Sequence, residues 1–510
     1  MPSLRSELLF KSPQGNHYIC ARDKRQVLTG HPLLYHLAEL GARGVDLAAW
    51  IGQLSSGQVR ISENSVFPRS EVDYYYRKYL FLKRHGYFKP FESTEQFTCE
   101  LDPQSVRHAL ANVRQVIFEV TDACNLRCAY CGYGKFYRDY DRRTDKMLDF
   151  KVAKRLLTFL ADQWNSGLNT SIDSPIAIGF YGGEPLLNFT LIRDIVAYAK
   201  QLNAPRHPFI FTMTTNALLL AKHMDFLYEH RFALLISLDG HRHHNAYRVF
   251  PNGRPSHGQV VRNVRALKEK YPDYFKKYVH FNAVYHNRSC LKEVHDYFET
   301  EFGKTPMIGE LNTAGIDPSS HDAFLETYAS MAEDFEETEA PQTLIEDLFI
   351  DLPTLGSLSK FIHSYTDGSF SDYAELLAAK ERSKRYPSGT CVPFERKIFL
   401  TVNHKILPCE RIGHQYAVGH ATADRVWLDP EGIAKTYSTH FSRLAELCQR
   451  CAAADNCGKC MFYIEWHSGK PRCGSFMSYD QRRSRFSSHL GELEKDPGIY
   501  ARIVKEAVTK

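Results

Sequence analysis

Three cysteines, Cys124, Cys128 and Cys131, follow the apolar run Val116–Val120 in a CxxxCxxC spacing. Three thiolates so spaced can hold three irons of a four-iron–four-sulfur cluster and leave the fourth iron to an outside ligand. An iron without a protein thiolate is a place for chemistry, whereas a fully ligated cluster mainly carries electrons. Zinc is the competing use of close cysteines, but structural zinc takes four ligands, usually in paired CxxC units. The triplet has no fourth Cys or His close by in the chain.

A second group follows downstream: Cys391, Cys409, Cys448, Cys451, Cys457, Cys460 and Cys473. Its two CxxC units, Cys448–Cys451 and Cys457–Cys460, are separated by five residues, which is short for a zinc ribbon. Ten of the 13 cysteines fall into these two groups. The others, Cys20, Cys99 and Cys290, read as ordinary buried thiols. In a long chain without a secretory signal, such grouping points to metal rather than to disulfides.

The elements that must position the first group are legible from residue 113 to 315. Short apolar strands at Val116–Val120, Ile176–Tyr181, Phe209–Thr214, Ala233–Leu238, Val279–Tyr285 and Pro306–Glu310 alternate with amphipathic stretches at Leu148–Trp164, Leu191–Leu202, Leu219–His230, Gln259–Lys270 and Lys292–Phe302. Such alternation predicts parallel strands with crossover helices. A full eight-fold barrel needs about 250 residues. Six units in fewer residues predict an α/β fold built on a partial (β/α)6 TIM-like barrel.

Polar letters fall where the strands end, and chemistry in such barrels sits on those loops. The first strand runs into the cysteine loop, the second into Gly182-Gly183-Glu184-Pro185, the third into Thr214-Thr215-Asn216, the fourth into Ser237-Leu238-Asp239-Gly240. Paired glycines let a backbone approach a ligand without a Cβ in the way. Glu184 can accept from an ammonium group. Asn216 and Ser237 can bond a ribose or a carboxylate, and Arg248 has the fork geometry that fits a carboxylate. Asp239, in an Asp-Gly pair, reads first as a turn. His241, His243 and His244 read as a polar loop, because no carboxylate or Cys pattern accompanies them.

At 510 residues the chain has room for about two to four domains. The formal charge of +5 is small for that length and requires no nucleic acid. No apolar run approaches the roughly 18 residues of a membrane span. The start, Met1-Pro2-Ser3-Leu4-Arg5, has no signal-peptide core. The expectation is a cytoplasmic protein with neither a membrane nor a nucleic-acid partner.

The cysteine triplet with Tyr130 before its last member, the GGEP run and the residues 244–248 (His-Asn-Ala-Tyr-Arg, where Asn245 replaces an Asp of an HDxxR pattern) resemble the radical S-adenosylmethionine (SAM) enzymes. The resemblance implies an oxidoreductase in which the open iron chelates SAM and an electron cleaves it to a 5′-deoxyadenosyl radical. It implies SAM-binding roles for Tyr130 (against the adenine), Gly182, Gly183, Glu184, Pro185, Asn216, Ser237 and Arg248. The downstream seven cysteines resemble a SPASM domain, which houses two further four-iron–four-sulfur clusters. That pattern assigns Cys448, Cys451, Cys457 and Cys473 to one cluster. Cys391, Cys409 and Cys460 go to another, whose fourth ligand the sequence does not name. Two features depart from it: the last CxxC has a two-residue gap where three is usual, and His404 stands where Gly is frequent.

Glu410 directly follows Cys409, at a place where sulfatase-maturing relatives carry an Asp that takes a substrate proton; it is the candidate general base. Residues 1–100 read as a winged-helix-like unit, with a hairpin near His17–Leu28 and helices at Pro32–Leu40, Leu47–Leu54 and Val72–His85. Peptide-modifying relatives use such a unit to bind the leader of a precursor peptide by strand addition. The remaining expected segments are a helical connector (316–390, best at Ala323–Glu337 and Leu344–Leu352, the latter stopped by Pro353), the SPASM domain (391–475) and a helical tail (476–510). The implied function is maturation of a ribosomally made precursor peptide, by a cross-link or related change. The implied reductant is of the flavodoxin or ferredoxin type. The alternatives are a sulfatase-maturating type of enzyme acting on a folded protein, and a non-catalytic zinc-binding adaptor.

Overall fold

The computed structural model describes residues 8–21, 26–62, 65–88, 97–171, 174–204, 207–337, 353–365, 386–454 and 457–508. The N-terminal unit has an antiparallel sheet of β1 (Leu8–Lys11), β2 (His17–Ala21) and β3 (Gln26–Gly30), then α1 (Pro32–Ala42) and α2 (Leu47–Gly52). A hairpin of β4 (Gln58–Ser62) and β5 (Ser65–Pro68) leads into α3 (Arg69–Arg84). Asp46 caps α2 by accepting from Ala48 and Ala49. Leu33, Leu37, Ile51, Val59, Val72 and Tyr79 form its own core. The opposite face of the small sheet, through Phe10, Tyr18 and Cys20, packs on Phe361, Phe486 and Ile503. The two ends of the chain therefore close on each other.

After α4 (Pro103–Ala111), the strands β6 (Gln115–Thr121), β7 (Ile176–Gly182), β8 (Phe209–Thr215), β9 (Ala233–Ser237), β10 (Val279–Tyr285) and β11 (Met307–Glu310) pair in parallel and in chain order. Between them lie α5 (Phe150–Trp164), α6 (Phe189–Gln201), α7 (Leu220–Glu229), α8 (His257–Lys270), α9 (Pro272–Tyr278) and α10 (Leu291–Phe302). The six strands and five helices expected from periodicity lie within a few residues of these bounds. Parallel strands are covered on both faces, and β6 is accordingly buried from Val116 through Thr121. Along α5 the buried side is Val152, Leu156, Leu160 and Trp164, and the Trp164 indole donates to Val113 O at 2.9 Å.

The sheet does not stop at six strands. β12 (Ile398–Leu400) adds in parallel to β6, and β13 (Lys405–Leu407), β14 (Gly419–Ala421) and β15 (Val426–Leu428) continue it antiparallel, giving ten strands. The expected boundary at 391 thus divides one continuous sheet. Each of these strands is three residues long, too short to show a period. A 20-residue helix, Pro430–Gln449, and the hairpin Glu465–His467/Lys470–Arg472 follow. Of the expected connector, His321–Thr327, Met331–Glu337 and Pro353–Tyr365 are helical. The helix expected at Leu344–Leu352 falls outside the described residues apart from its boundary. Pro353 opens a helix, where its fixed φ and missing N–H are tolerated.

Candidate functional site

The cysteine loop is held from two sides. From β7, Gly183 N donates to Thr121 O at 2.8 Å and Glu184 N to Ala123 O at 2.9 Å. A Cβ on Gly182 (φ +124°) would stand 2.2 Å from Thr121 O, and one on Gly183 1.9 Å from Ala123 O. The glycines therefore permit a close approach to the cysteine loop itself. From below, Asp122 accepts from Thr144 N (2.9 Å) and Lys146 N (2.7 Å). These bonds present Arg143, whose Nη2 donates to Cys131 Sγ at 3.1 Å, with the guanidinium 4.9 Å from the Tyr133 ring centroid.

Burial pushes the Cys124 and Cys128 thiols up, Cys128 to about 12. A metal bound there must displace protons. Cys124, Cys128 and Cys131 sense one another's charge, yet among the described residues no three cysteine sulfurs lie within 4.8 Å of one another. Tetrahedral zinc, with bonds of about 2.3 Å, would draw its sulfurs to about 3.8 Å. Three thiols with a cationic donor beside one of them are a set that a sulfur-bridged cluster can use.

Glu184 is fully buried. Its Oε1 accepts from Leu186 N (3.1 Å) and Thr215 Oγ1 (2.7 Å), and its Oε2 from Asn216 N (2.8 Å). Burial outweighs these bonds and lifts its pKa to about 7. Three of the roughly four acceptor positions of a carboxylate are filled. Pro185 is buried and opens the short helical turn Pro185–Asn188. Asn216 donates to Asn125 Oδ1 at 2.8 Å, joining the third strand end to the cysteine loop. Ser237, half-buried, ends β9.

Arg248 is not free to meet an outside carboxylate. Its Nε and Nη2 hold the two oxygens of Asp239 at 3.0 and 2.9 Å. Asp239 is fully buried, accepts from Val284 N at 2.9 Å and takes the Tyr130 hydroxyl. The guanidinium lies 5.5 Å from the Tyr130 ring centroid. The residue read as a turn from its Asp-Gly pair is the hub of a buried network. Tyr130 reaches it with its hydroxyl, and its ring lies 5.8 Å from His286.

The seven downstream cysteines separate into two places. Cys448, Cys451, Cys457 and Cys473 line one small cavity with Ser388 and Ile464. Cys391, Cys409 and Cys460 surround the Tyr437 hydroxyl, which burial and their charge push well above the tyrosine range. Cys409 Sγ is 3.6 Å from Glu410 Oε2. Glu410 pairs with Lys397 Nζ at 3.0 Å, and Arg411 Nε lies 3.8 Å away. The half-buried Tyr181 packs in one apolar cluster with Cys409 and Cys460, and the charges of Glu410 and Cys131 both act on its hydroxyl. Arg143, Asp122, Asn125 and Tyr181 escaped sequence reasoning. Tyr181 alone had a signal, standing directly before the paired glycines.

Three free cysteines thus stand at the end of the first strand of a parallel barrel sheet. Residues 118–298 match the Radical SAM superfamily model. The match lies in this domain, and the superfamily is one of enzymes. It is 33% identical over 157 residues to an uncharacterized protein of Methanocaldococcus jannaschii, covering 31% of this chain and 49% of that one. It is 25% identical over 168 residues to the cysteine-type anaerobic sulfatase-maturating enzyme of Clostridium novyi, covering 32% and 43%. The chain thus spans about half or less of these curated relatives. The solved structure of anSMEcpe with bound AdoMet and Cp18Cys peptide superposes with TM-score 0.50 at 16% identity, over 78% of this chain and 98% of that one. This likeness is one of fold. Among the described residues no helix is long and apolar enough to cross a membrane.

Proposed function

We propose that the chain is a maturase that cleaves SAM reductively and abstracts a hydrogen from a precursor peptide. The observation that carries this is the triplet of Cys124, Cys128 and Cys131 under the Arg143 donor, joined by a continuous sheet to the segment that carries Cys391 and Cys409. The three cysteines would hold a four-iron–four-sulfur cluster, and the downstream groups two more. When bound, the first cluster supplies the single electron that splits SAM.

The chain's own groups have distinct tasks. Glu184, with one acceptor position left, takes the SAM ammonium. Tyr130, pinned by Asp239, walls the adenine side, and Asn216 and Ser237 line the strand ends beside it. Arg248 acts through Asp239, as a positioning residue. Glu410, beside Cys409 and held as a carboxylate by the Lys397 ammonium at 3.0 Å, accepts the substrate proton. The N-terminal unit is read as winged-helix-like, binding the peptide leader along the β3 edge. A relative that matures sulfatases and a solved structure with a peptide bound both support a polypeptide substrate. The N-terminal unit favours a precursor peptide over a folded protein. A cross-link is the modification we place first, with a flavodoxin- or ferredoxin-type donor.

The test is to reduce cluster-loaded protein anaerobically with SAM and the short peptide encoded beside its gene. We expect release of 5′-deoxyadenosine and a mass loss of hydrogen from the peptide. Glu410→Gln should keep the first and lose most of the second. Absence of 5′-deoxyadenosine would overturn the reading, and unchanged peptide product in the variant would remove Glu410 from it.

A pH dependence follows from Glu184. Its carboxyl is half protonated near 7 because burial favours the neutral form, while an ammonium beside it favours the carboxylate. SAM binding must then release a proton below about pH 7. Affinity should rise with pH up to about 7 and level above it. Equilibrium binding of SAM between pH 5.5 and 8.5 checks this, and Glu184→Gln should bind weakly with no such rise.

A further inference from the structure

The loop after β9 carries His241, His243 and His244, which sequence reading leaves as polar loop for want of a carboxylate. The structure supplies one. Glu293, in the first turn of α10, places Oε2 3.4 Å from His241 Nε2 and 3.2 Å from His244 Nε2. One ligand atom from each of the three residues lies within 4.8 Å of the other two. The imidazole rings stack with centroids 3.7 Å apart at 23°.

From this geometry we propose that His241, His244 and Glu293 form a binding site for a divalent transition metal of the zinc class, separate from every cysteine group. Two neutral imidazoles and one carboxylate are a donor set that suits zinc, iron(II), cobalt and nickel, and three protein ligands leave positions for water. The exposures fit a site open on one side: His244 is 1% exposed at the floor, while His241 (39%) and Glu293 (61%) form the rim.

His244 meets Glu293 through Nε2. Its Nδ1 is buried with no hydrogen-bond partner. A Cβ on Gly240 would come within 2.7 Å of that nitrogen, so the ring seats only over a glycine. Coordination through Nε2 places the ring proton on Nδ1. For His241 this displaces the His243 amide, which donates to Nδ1 at 3.1 Å, so binding rearranges the rim of the loop rather than its floor.

The bound ion would staple the loop to α10. That loop carries Asp239 and Arg248, and Asn245 Oδ1 accepts from Asp239 N at 3.2 Å. The ion would thus fix the segment that pins Tyr130. Its role is structural support of the barrel mouth, with no part in electron transfer.

The test uses cluster-loaded full-length protein titrated with zinc alone, freed of excess by gel filtration, and read by metal analysis and zinc X-ray absorption. We expect one equivalent in a nitrogen/oxygen shell at about 2.0–2.1 Å. His241→Ala and Glu293→Ala, both at exposed positions, should each weaken binding by at least the roughly 10-fold seen on losing a supporting contact, with circular dichroism unchanged. A sulfur shell at about 2.3 Å, or affinity equal in the wild type and both variants, would overturn the site.

Discussion

Asp239→Asn is expected to destabilise the protein by about 3–5 kcal/mol, the usual loss when one partner of a buried ion pair is removed. Asp239 is fully buried and holds Arg248 through two bonds, Val284 N through a third and the Tyr130 hydroxyl through a fourth. Asn keeps the shape but not the charge. The guanidinium, also buried, is then left without a counter-ion. It must draw in water or leave its place, and either movement takes Tyr130 with it. A double change, Asp239→Asn with Arg248→Met, removes the stranded cation and should recover a good part of the loss. Thermal unfolding of the three proteins under identical cluster loading measures this. Equal melting temperatures for the wild type and Asp239→Asn would show that the pair contributes nothing.

Arg143→Ala is expected to leave the fold intact and make the first cluster harder to reduce. Hydrogen bonds to cluster sulfurs and nearby charge set cluster potentials. Arg143 supplies both, donating to Cys131 Sγ at 3.1 Å from a half-buried position. A reduced cluster carries one more negative charge, so a cation beside it favours reduction. A charge-assisted bond of about 1.5–3 kcal/mol corresponds to a fall in potential of roughly 60–130 mV for one electron. At fixed reductant, SAM cleavage should fall by about 10-fold or more. Potentiometric titration followed by electron paramagnetic resonance checks the first statement, and 5′-deoxyadenosine release the second. An unshifted potential would show that Arg143 does not tune the cluster.

The barrel was legible because its strands and helices repeat. Apolar residues at spacing two or three to four marked the β6–β11 strands and their crossover helices closely. The cysteines were legible because thiols at fixed spacing have few other uses. Side-chain pairing across the sheet was not legible, since nothing in a linear pattern says which neighbour a polar group meets. Arg248 read as the partner of a ligand carboxylate, and the carboxylate it meets is that of Asp239, nine residues earlier. The Gly182-Gly183 pair read as room for a ligand, and the atoms it makes room for are Thr121 O and Ala123 O. His244 lacked a carboxylate in sequence because Glu293 stands 49 residues later. Strands β12–β15 left no signal because three residues cannot establish a period.

The pairing of β12 with β6 has a consequence for biosynthesis. Residues 398–400 complete the edge of the strand that leads to Cys124, yet they emerge from the ribosome about 280 residues after it. Until then the nascent barrel shows an unsatisfied edge, and exposed edges invite pairing with other chains. A truncated transcript ending before residue 398 would yield a sticky, half-finished sheet rather than a smaller working enzyme.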